Sequence, residues 1–278
     1  MIELFHQVSE SCSRITTRTY STSFSSTIKL LHRDLRKPIY NIYGFVRFAD
    51  EIVDSFHEFD KGLLLKLFKK ETYDAISMGI SLNPILNSFQ KTVNEYNIDL
   101  ALIEAFFKSM EMDLEKRQYD RDGYRDYIYG SAEVVGLMCL DVFCEGKKPL
   151  YENLKYAARM LGSAFQKVNF LRDIQADFTG LSRMYFPDCD FTNFSETDKY
   201  KIEQDIENDF RQAYHGILRL PMKARFGVYV AYKYYLSLFR KIKKVKPARI
   251  FDERIRIPAY GKALILVRAG VKNQLKLI

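Results

Sequence analysis

The stretch Gly162–Pro187, GSAFQKVNFLRDIQADFTGLSRMYFP, decides how the rest of the chain is read. At helical period Gln166, Asn169, Asp173 and Asp177 share one stripe, spaced three or four apart. Phe165, Val168, Leu171 and Ile174 fall largely off it and supply packing surface. A solvated helix face mixes signs, so that each acid has a base one turn away. Asp173 and Asp177 instead stand one turn apart as like charges, a mildly destabilising arrangement. A positive partner is therefore expected between them and whatever faces them. Gly180 breaks the pattern, and Arg183, Tyr185 and Pro187 bring a cation and a phenol close to the acids. An exposed acidic helix end would be the better reading if this were the only such stripe.

There are two. In Arg47-Phe48-Ala49-Asp50-Glu51-Ile52-Val53-Asp54 the acids Asp50 and Asp54 are again one turn apart, with Arg47 a turn earlier on the same side. Tyr40, Tyr43 and Gly44 continue that side with aromatic and small groups. Both stripes are embedded in apolar sequence, and helices of an all-α protein can aim them into a common cavity, as metal-binding bundles do.

Outside these stretches, segments of helical period follow one another with short breaks, and no period-two alternation is sustained. Helices are expected over 1–18, from near Phe24, over 39–56 with Pro38 at its first turn, and over 84–96 after Asn83-Pro84. Asp60-Lys61-Gly62 reads as a turn. Further helices are expected over 99–117, 124–143, 151–178, 196–219, 222–243 and 257–275. Glu145-Gly146-Lys147-Lys148-Pro149 ends the one from Tyr124. Tyr20-Ser21-Thr22-Ser23 is a polar break whose hydroxyls and amides precede a helix start, the setting of an anion site. No linker or repeat divides the chain, so one all-α domain over 1–278 is expected.

Hydrophobic residues at 47% and charged residues at 28% fit a soluble globular protein. A net charge of +8 suits a polyanionic ligand, nucleic acid or an anionic membrane without choosing among them. Basic residues crowd Arg219 to Lys262, Arg254 among them, with Tyr229, Tyr232, Tyr234, Tyr235 and Phe239 interleaved. A solvated face over a Tyr and Phe core is favoured there over a nucleic-acid surface, with anionic lipid as the middle case. Cys12, Cys139, Cys144 and Cys189 are scattered without zinc spacing, which points to reduced thiols in the cytoplasm. The N-terminus has no signal-peptide pattern, and no uninterrupted apolar run approaches the roughly 20 residues of a spanning helix. Contact with a membrane, if made, is peripheral and from the inner face.

Carboxylate oxygens without His or Cys favour Mg²⁺, with Mn²⁺ as a substitute. Mg²⁺ binds through a few carboxylates plus the phosphates of a substrate, and the nearby Arg and Lys residues suit a diphosphate. No Walker loop or GxGxxG is present. Walls of Tyr, Phe and small residues offer no obvious nucleophile or base. They suit a long apolar diphosphate whose departing group leaves an allylic cation, held by aromatic faces in a dry pocket.

FADEIVD (48–54), NFLRDIQAD (169–177) and RMYFP (183–187) resemble the signature segments of the squalene/phytoene synthase family. YSTSFS (20–25) and YIYGSAEVVGLM (127–138) resemble two further segments, so that the match runs from about Tyr20 to Pro187. The wording is nearest the bacterial phytoene synthases. The resemblance implies an all-α isoprenoid synthase fold with a central cavity, and head-to-head condensation of two prenyl diphosphates through a cyclopropyl diphosphate. It implies that Asp50, Asp54, Asp173 and Asp177 hold Mg²⁺ and diphosphate, with Asn169 assisting. Arg47, Arg172, Arg183, Tyr20, Ser21 and Tyr185 then contact diphosphate. Phe24, Tyr43, Tyr127, Ala132, Val135, Gly136 and Gln166 line the prenyl channel. Phytoene formation from geranylgeranyl diphosphate, a carotenoid step, needs no nicotinamide. Three positions depart from the usual pattern. Thr22 replaces a frequent Lys, for which Lys29 or Lys167 are candidate substitutes; Glu133 replaces a small residue, and Ser182 a Gly.

The alternatives are a squalene or dehydrosqualene synthase using farnesyl diphosphate, and a non-catalytic membrane-associated assembly factor of the same fold. A nucleic-acid binder acting through the basic C-terminal third is disfavoured.

Overall fold

The computed structural model describes residues 1–115, 118–180, 184–187, 189, 194–250 and 254–275, with the side chains of 176–180 and 248 left aside. Among these residues the chain is helical with no strand; one isolated bridge joins Gln118 to Met184. The helices are α1 (Ile2–Tyr20), α2 (Thr22–Ile28), α3 (Arg33–Ser55), α4 (Lys61–Met78), α5 (Pro84–Tyr96) and α6 (Leu100–Glu115). α7 (Arg121–Ile128), a π-helical turn (Tyr129–Glu133) and α8 (Val134–Cys144) follow without a break. The rest are α9 (Lys148–Gly180), α10 (Glu196–Ile217), α11 (Met222–Lys243), α12 (Pro247–Ile250) and α13 (Ala259–Gln274).

Local chemistry sets most boundaries. Asn83 caps α5 through Ile85 and Leu86, and Asn97 leaves that helix in the left-handed conformation at φ 51. Asp60-Lys61-Gly62 is a helix start rather than a free turn, because the Asp60 carboxylate accepts from the Leu63 amide and opens α4. Pro38 lies inside α3 rather than at its first turn. The bond that it cannot donate falls to the carbonyl of Asp34, in the exposed first turn, where water can serve instead. α8 ends where Glu145 and Gly146 take positive φ, whereas Pro149 sits in the first turn of α9.

The helix expected over 124–143 is interrupted. Its π turn shifts the register by a residue where α9 crosses. A Cβ at Gly162 of α9 would lie 2.5 Å from the Ala132 carbonyl oxygen, so the two backbones meet at that point. Arg121–Cys144 is long and apolar enough to cross a membrane by length and composition, more so than the sequence reading allowed. Yet 67% of its most apolar window is buried inside the fold.

Two apolar cores result. One gathers α3–α6 and α8 around Phe45, Phe89 and Phe106; the other gathers α9–α11 and α13 around Phe170, Tyr229 and Phe239. α9 packs against α10, α8, the π turn and α11, and so borders both.

The Gly162 contact is testable. Gly162→Ala is expected to lower stability by about 1–3 kcal/mol in urea unfolding, because the backbone clash outweighs the helix-propensity gain of about 1 kcal/mol. Gly270→Ala in α13, with open space around it, is expected to be neutral or stabilising.

Candidate active site

A cavity of about 550 Å³ lies between the two cores, bounded by α2, α3, α8, α9 and α11. Its lining on α9 runs from Leu154 to Asp173, roughly 28 Å at 1.5 Å per residue. The polar lining gathers at the C-terminal ends of two helices: Arg47, Asp50 and Asp54 of α3, and Asn169, Arg172 and Asp173 of α9. Further back along both helices the lining turns apolar, with Ile39 and Ile42 on one and Leu154, Ala158 and Leu161 on the other. Leu140, Phe143, Ile217 and Leu220 extend the apolar part. Asp50 and Asp54 of one stripe and Gln166, Asn169 and Asp173 of the other therefore open into one hollow.

At Asp50 the opposing charges do not cancel. Burial and the neighbouring Asp54 push the Asp50 carboxyl up to about 7, against the opposing pull of Arg47. The surface that Asp50 keeps opens onto the cavity. Arg47 pairs with Glu51 and places its guanidinium 4.4 Å from the Tyr20 ring centre, while its Nε is buried with no partner among the described residues. A buried donor left unfilled is costly and marks a place for an anion. Across the cavity Asp173 is clamped by two guanidiniums: Arg172 beside it, and Arg254 with Nε 2.7 Å from Oδ1. These are the positive partners expected for that acid.

Aromatic groups form the next zone. Phe24 meets Tyr43 at 5.8 Å, Phe165 at 6.2 Å and Tyr235 at 5.9 Å between ring centres, and Tyr235 stacks on Phe165 at 3.9 Å. Burial raises the Tyr43 phenol to about 12, so it stays neutral. Tyr235 donates to Asn169 Oδ1 at 3.3 Å. A second group centres on the buried Asp113, whose carboxylate accepts from Tyr127 at 2.7 Å, Tyr119 at 3.3 Å and Tyr185 at 3.5 Å. Tyr185 also stacks on Phe170 at 3.9 Å.

Of the residues singled out in sequence, Tyr20, Ser21, Phe24, Tyr43, Tyr127 and Tyr185 line the cavity along with the polar groups above. So do Ala132, Val135, Gly136 and Gln166. Ser21 caps α2 through the Phe24 amide at 3.2 Å. Asp177 lies on the last turn of α9, but its side chain falls outside the described residues, as do Arg183 and Ser182. Glu133 does not line the cavity: the π turn directs it to Arg159, 2.6 Å away, so the wall keeps its apolar character there. Lys167 does not stand in for the Lys missing at Thr22, because Asp205 and Asp209 hold it at 2.5 and 2.8 Å. Lys262 of α13 is the amine that reaches Thr22, at 3.5 Å from Oγ1.

The family model described as squalene/phytoene synthase matches residues 17–261. The chain belongs to the squalene/phytoene synthase family. These are prenyltransferase-type synthases of isoprenoid biosynthesis that bind prenyl diphosphates. The chain is 25% identical over 288 residues to the phytoene synthase of Arthrospira platensis, covering 95% of this chain and 92% of that one. It is 26% identical over 196 residues to the 4,4'-diapophytoene synthase of Staphylococcus haemolyticus, covering 69% and 67%. The fold matches a crystal structure of a dehydrosqualene synthase in complex with ligand at a TM-score of 0.84 and 20% identity, covering 98% of each chain. The all-α isoprenoid synthase fold is thereby established for this family member.

Asp113, Tyr235 and Arg254 escaped the sequence reading as cavity residues. Asp113 shares the buried face of α6 with Phe106, Met110 and Met112, and an acid on that apolar face was the available signal. Arg254 was one cation among many in the basic region. Its partner Asp173 lies 81 positions away in sequence.

The raised Asp50 carboxyl has a measurable sign. Its ordinary value near 4 applies to the unfolded chain. Between that value and about 7 the folded protein binds the extra proton, so stability falls as pH rises through this window, and the full cost is present above 7. Without divalent cation, Asp50→Asn is expected to raise stability at pH 8 by about 1–3 kcal/mol and to leave it unchanged near pH 4, as read by thermal unfolding.

Proposed function

We propose that this family member is a phytoene synthase, joining two geranylgeranyl diphosphates head-to-head through a cyclopropyl diphosphate and releasing diphosphate. The observation that carries the reading is the meeting of two acidic stripes and three arginines at one end of a long apolar cavity. The phytoene synthase of Arthrospira platensis, similar over nearly the whole of both chains, supports the choice of product.

The donor set fits Mg²⁺. Asp50 and Asp54 are an oxygen-only pair in which burial and like charge hold one proton too tightly, a strain that a divalent cation relieves. Among the described residues no three acidic, His or Cys side chains converge on one point. The acids on α3 and Asp173 on α9, with Asn169 beside it, would therefore each supply part of a shell that diphosphate oxygens and water complete. When bound, the ion neutralises the leaving diphosphate as a Lewis acid.

The chain's own groups do the rest. Arg47, Arg172 and Arg254 offer guanidinium donors to diphosphate oxygens, and the unfilled Arg47 Nε is ready for one of them. Phe24, Tyr43, Phe165 and Tyr235 stand between the charged end and the apolar remainder, where their faces stabilise an allylic cation. The apolar wall excludes the water that would quench it. No nicotinamide is needed for this product. A second reading, condensation of two farnesyl diphosphates to a C30 product, is favoured by the similarity to the 4,4'-diapophytoene synthase.

Incubation with Mg²⁺ and each prenyl diphosphate, with and without NADPH, separates the two. A C40 hydrocarbon from geranylgeranyl diphosphate alone is expected; a C30 product alone overturns the phytoene assignment. Asp173→Asn is expected to cut turnover by about 10²-fold or more, with the fold intact by circular dichroism. Arg254→Ala is expected to raise KM by about tenfold or more and Arg254→Lys to restore part of the loss, as steady-state kinetics would read.

A further inference from the structure

From the structure we infer that the outer face of α13 docks on a bilayer containing anionic phospholipid. Tyr260, Leu264, Val267, Val271 and Leu275 recur at intervals of four, three, four and four residues, so they form one stripe along the helix and its C-cap. That stripe is open to solvent: the five residues are 79%, 49%, 63%, 50% and 63% exposed. The opposite face carries the packing, with Ala269 buried and Ile265 and Leu266 set into the core beside α11. A helix that seats one apolar face in the core and leaves a second apolar face in water lacks a partner for the second.

The charges beside the stripe choose the partner. From Arg254 to the last residue the sequence contains no acid. Arg268 and Lys272, both exposed, follow Leu264 and Val271 around the helix and flank the stripe on one side. An apolar stripe bordered by cations matches acyl chains bordered by anionic headgroups. A second copy of the chain docked on the same face would set these cations against their own kind. The apolar helix Arg121–Cys144 is occupied inside the fold, which leaves α13 to meet the surface from outside.

The position has a use under the proposed function, although the docking itself stands on the helix face alone. Lys262, on the first turn of α13, contacts Thr22, next to the cavity-lining Tyr20 and Ser21, and Arg254 just upstream lines the cavity. A membrane under α13 therefore lies beside the site, where an apolar product could pass into hydrocarbon.

The chain contains no Trp, so Tyr260→Trp gives a single indole on the stripe, excited apart from the tyrosines. With vesicles of phosphatidylcholine and phosphatidylglycerol, its emission is expected to shift to the blue, and vesicles of phosphatidylcholine alone are expected to leave it unchanged. In co-sedimentation without substrate, Leu264→Glu with Val267→Glu, and separately Arg268→Glu with Lys272→Glu, are expected to weaken binding roughly tenfold or more with melting temperature unchanged. Three results overturn the inference. One is no emission shift with the mixed vesicles; another is wild-type binding by the Leu264→Glu, Val267→Glu protein. The third is a wild-type dimer that those substitutions split in sedimentation velocity, which gives the face to a second copy. None of these readouts needs turnover, so failure here and failure of the phytoene assignment are distinguishable.

Discussion

A carboxylate pair facing a greasy hollow is an expensive object, and the architecture around this cavity follows from that expense. Asp50 and Asp54 repel each other, and the dry surroundings of Asp50 make its ionised form costly enough to lift its titration to about 7. Arg47 compensates only in part, because it also serves Glu51 and Tyr20. Across the hollow, Asp173 is balanced by Arg172 and Arg254. Charge is thus held in readiness at one end, and a cation and a polyanion bound together satisfy both signs at once.

Holding such groups apart yet aimed at one space requires stiff supports. α9 provides the longest, 33 residues in a single helix bordering both cores, and its crossing with the π turn fixes where it lies. Because Gly162 lets the backbones touch, little freedom remains at that crossing. On the π turn, Glu133 is buried against Arg159 away from the cavity, so no acid enters that part of the wall. The buried Asp113, ringed by tyrosine hydroxyls, serves the same order: three phenols are oriented by one acceptor, and their rings stack into the wall behind the charged end.

The basic C-terminal third takes two roles at once. Tyr229, Tyr232, Tyr234 and Tyr235 are buried, so their faces are not offered to bases. One cation, Arg254, turns inward to the site, while others border the exposed stripe of α13. A solvated face over an aromatic core describes α11 well and misses Arg254.

By itself the sequence determined the all-α class and the two acidic stripes, because helical period and charge spacing are local properties written within a few turns. It also determined the caps at Asn83 and Ser21, for the same reason. Only the tertiary structure decided that Arg254 answers Asp173, that three tyrosines from separate segments share Asp113, and that Lys262 rather than Lys167 reaches Thr22. Arg254–Asp173, Tyr185–Asp113 and Lys262–Thr22 join residues 81, 72 and 240 positions apart, and the nearer Tyr119 and Tyr127 reach Asp113 from outside its helix, so no periodicity carries them. The π turn likewise arises from a crossing partner 30 residues further on, since Gly162 meets the carbonyl of Ala132, and the residues of the turn alone gave no sign of it.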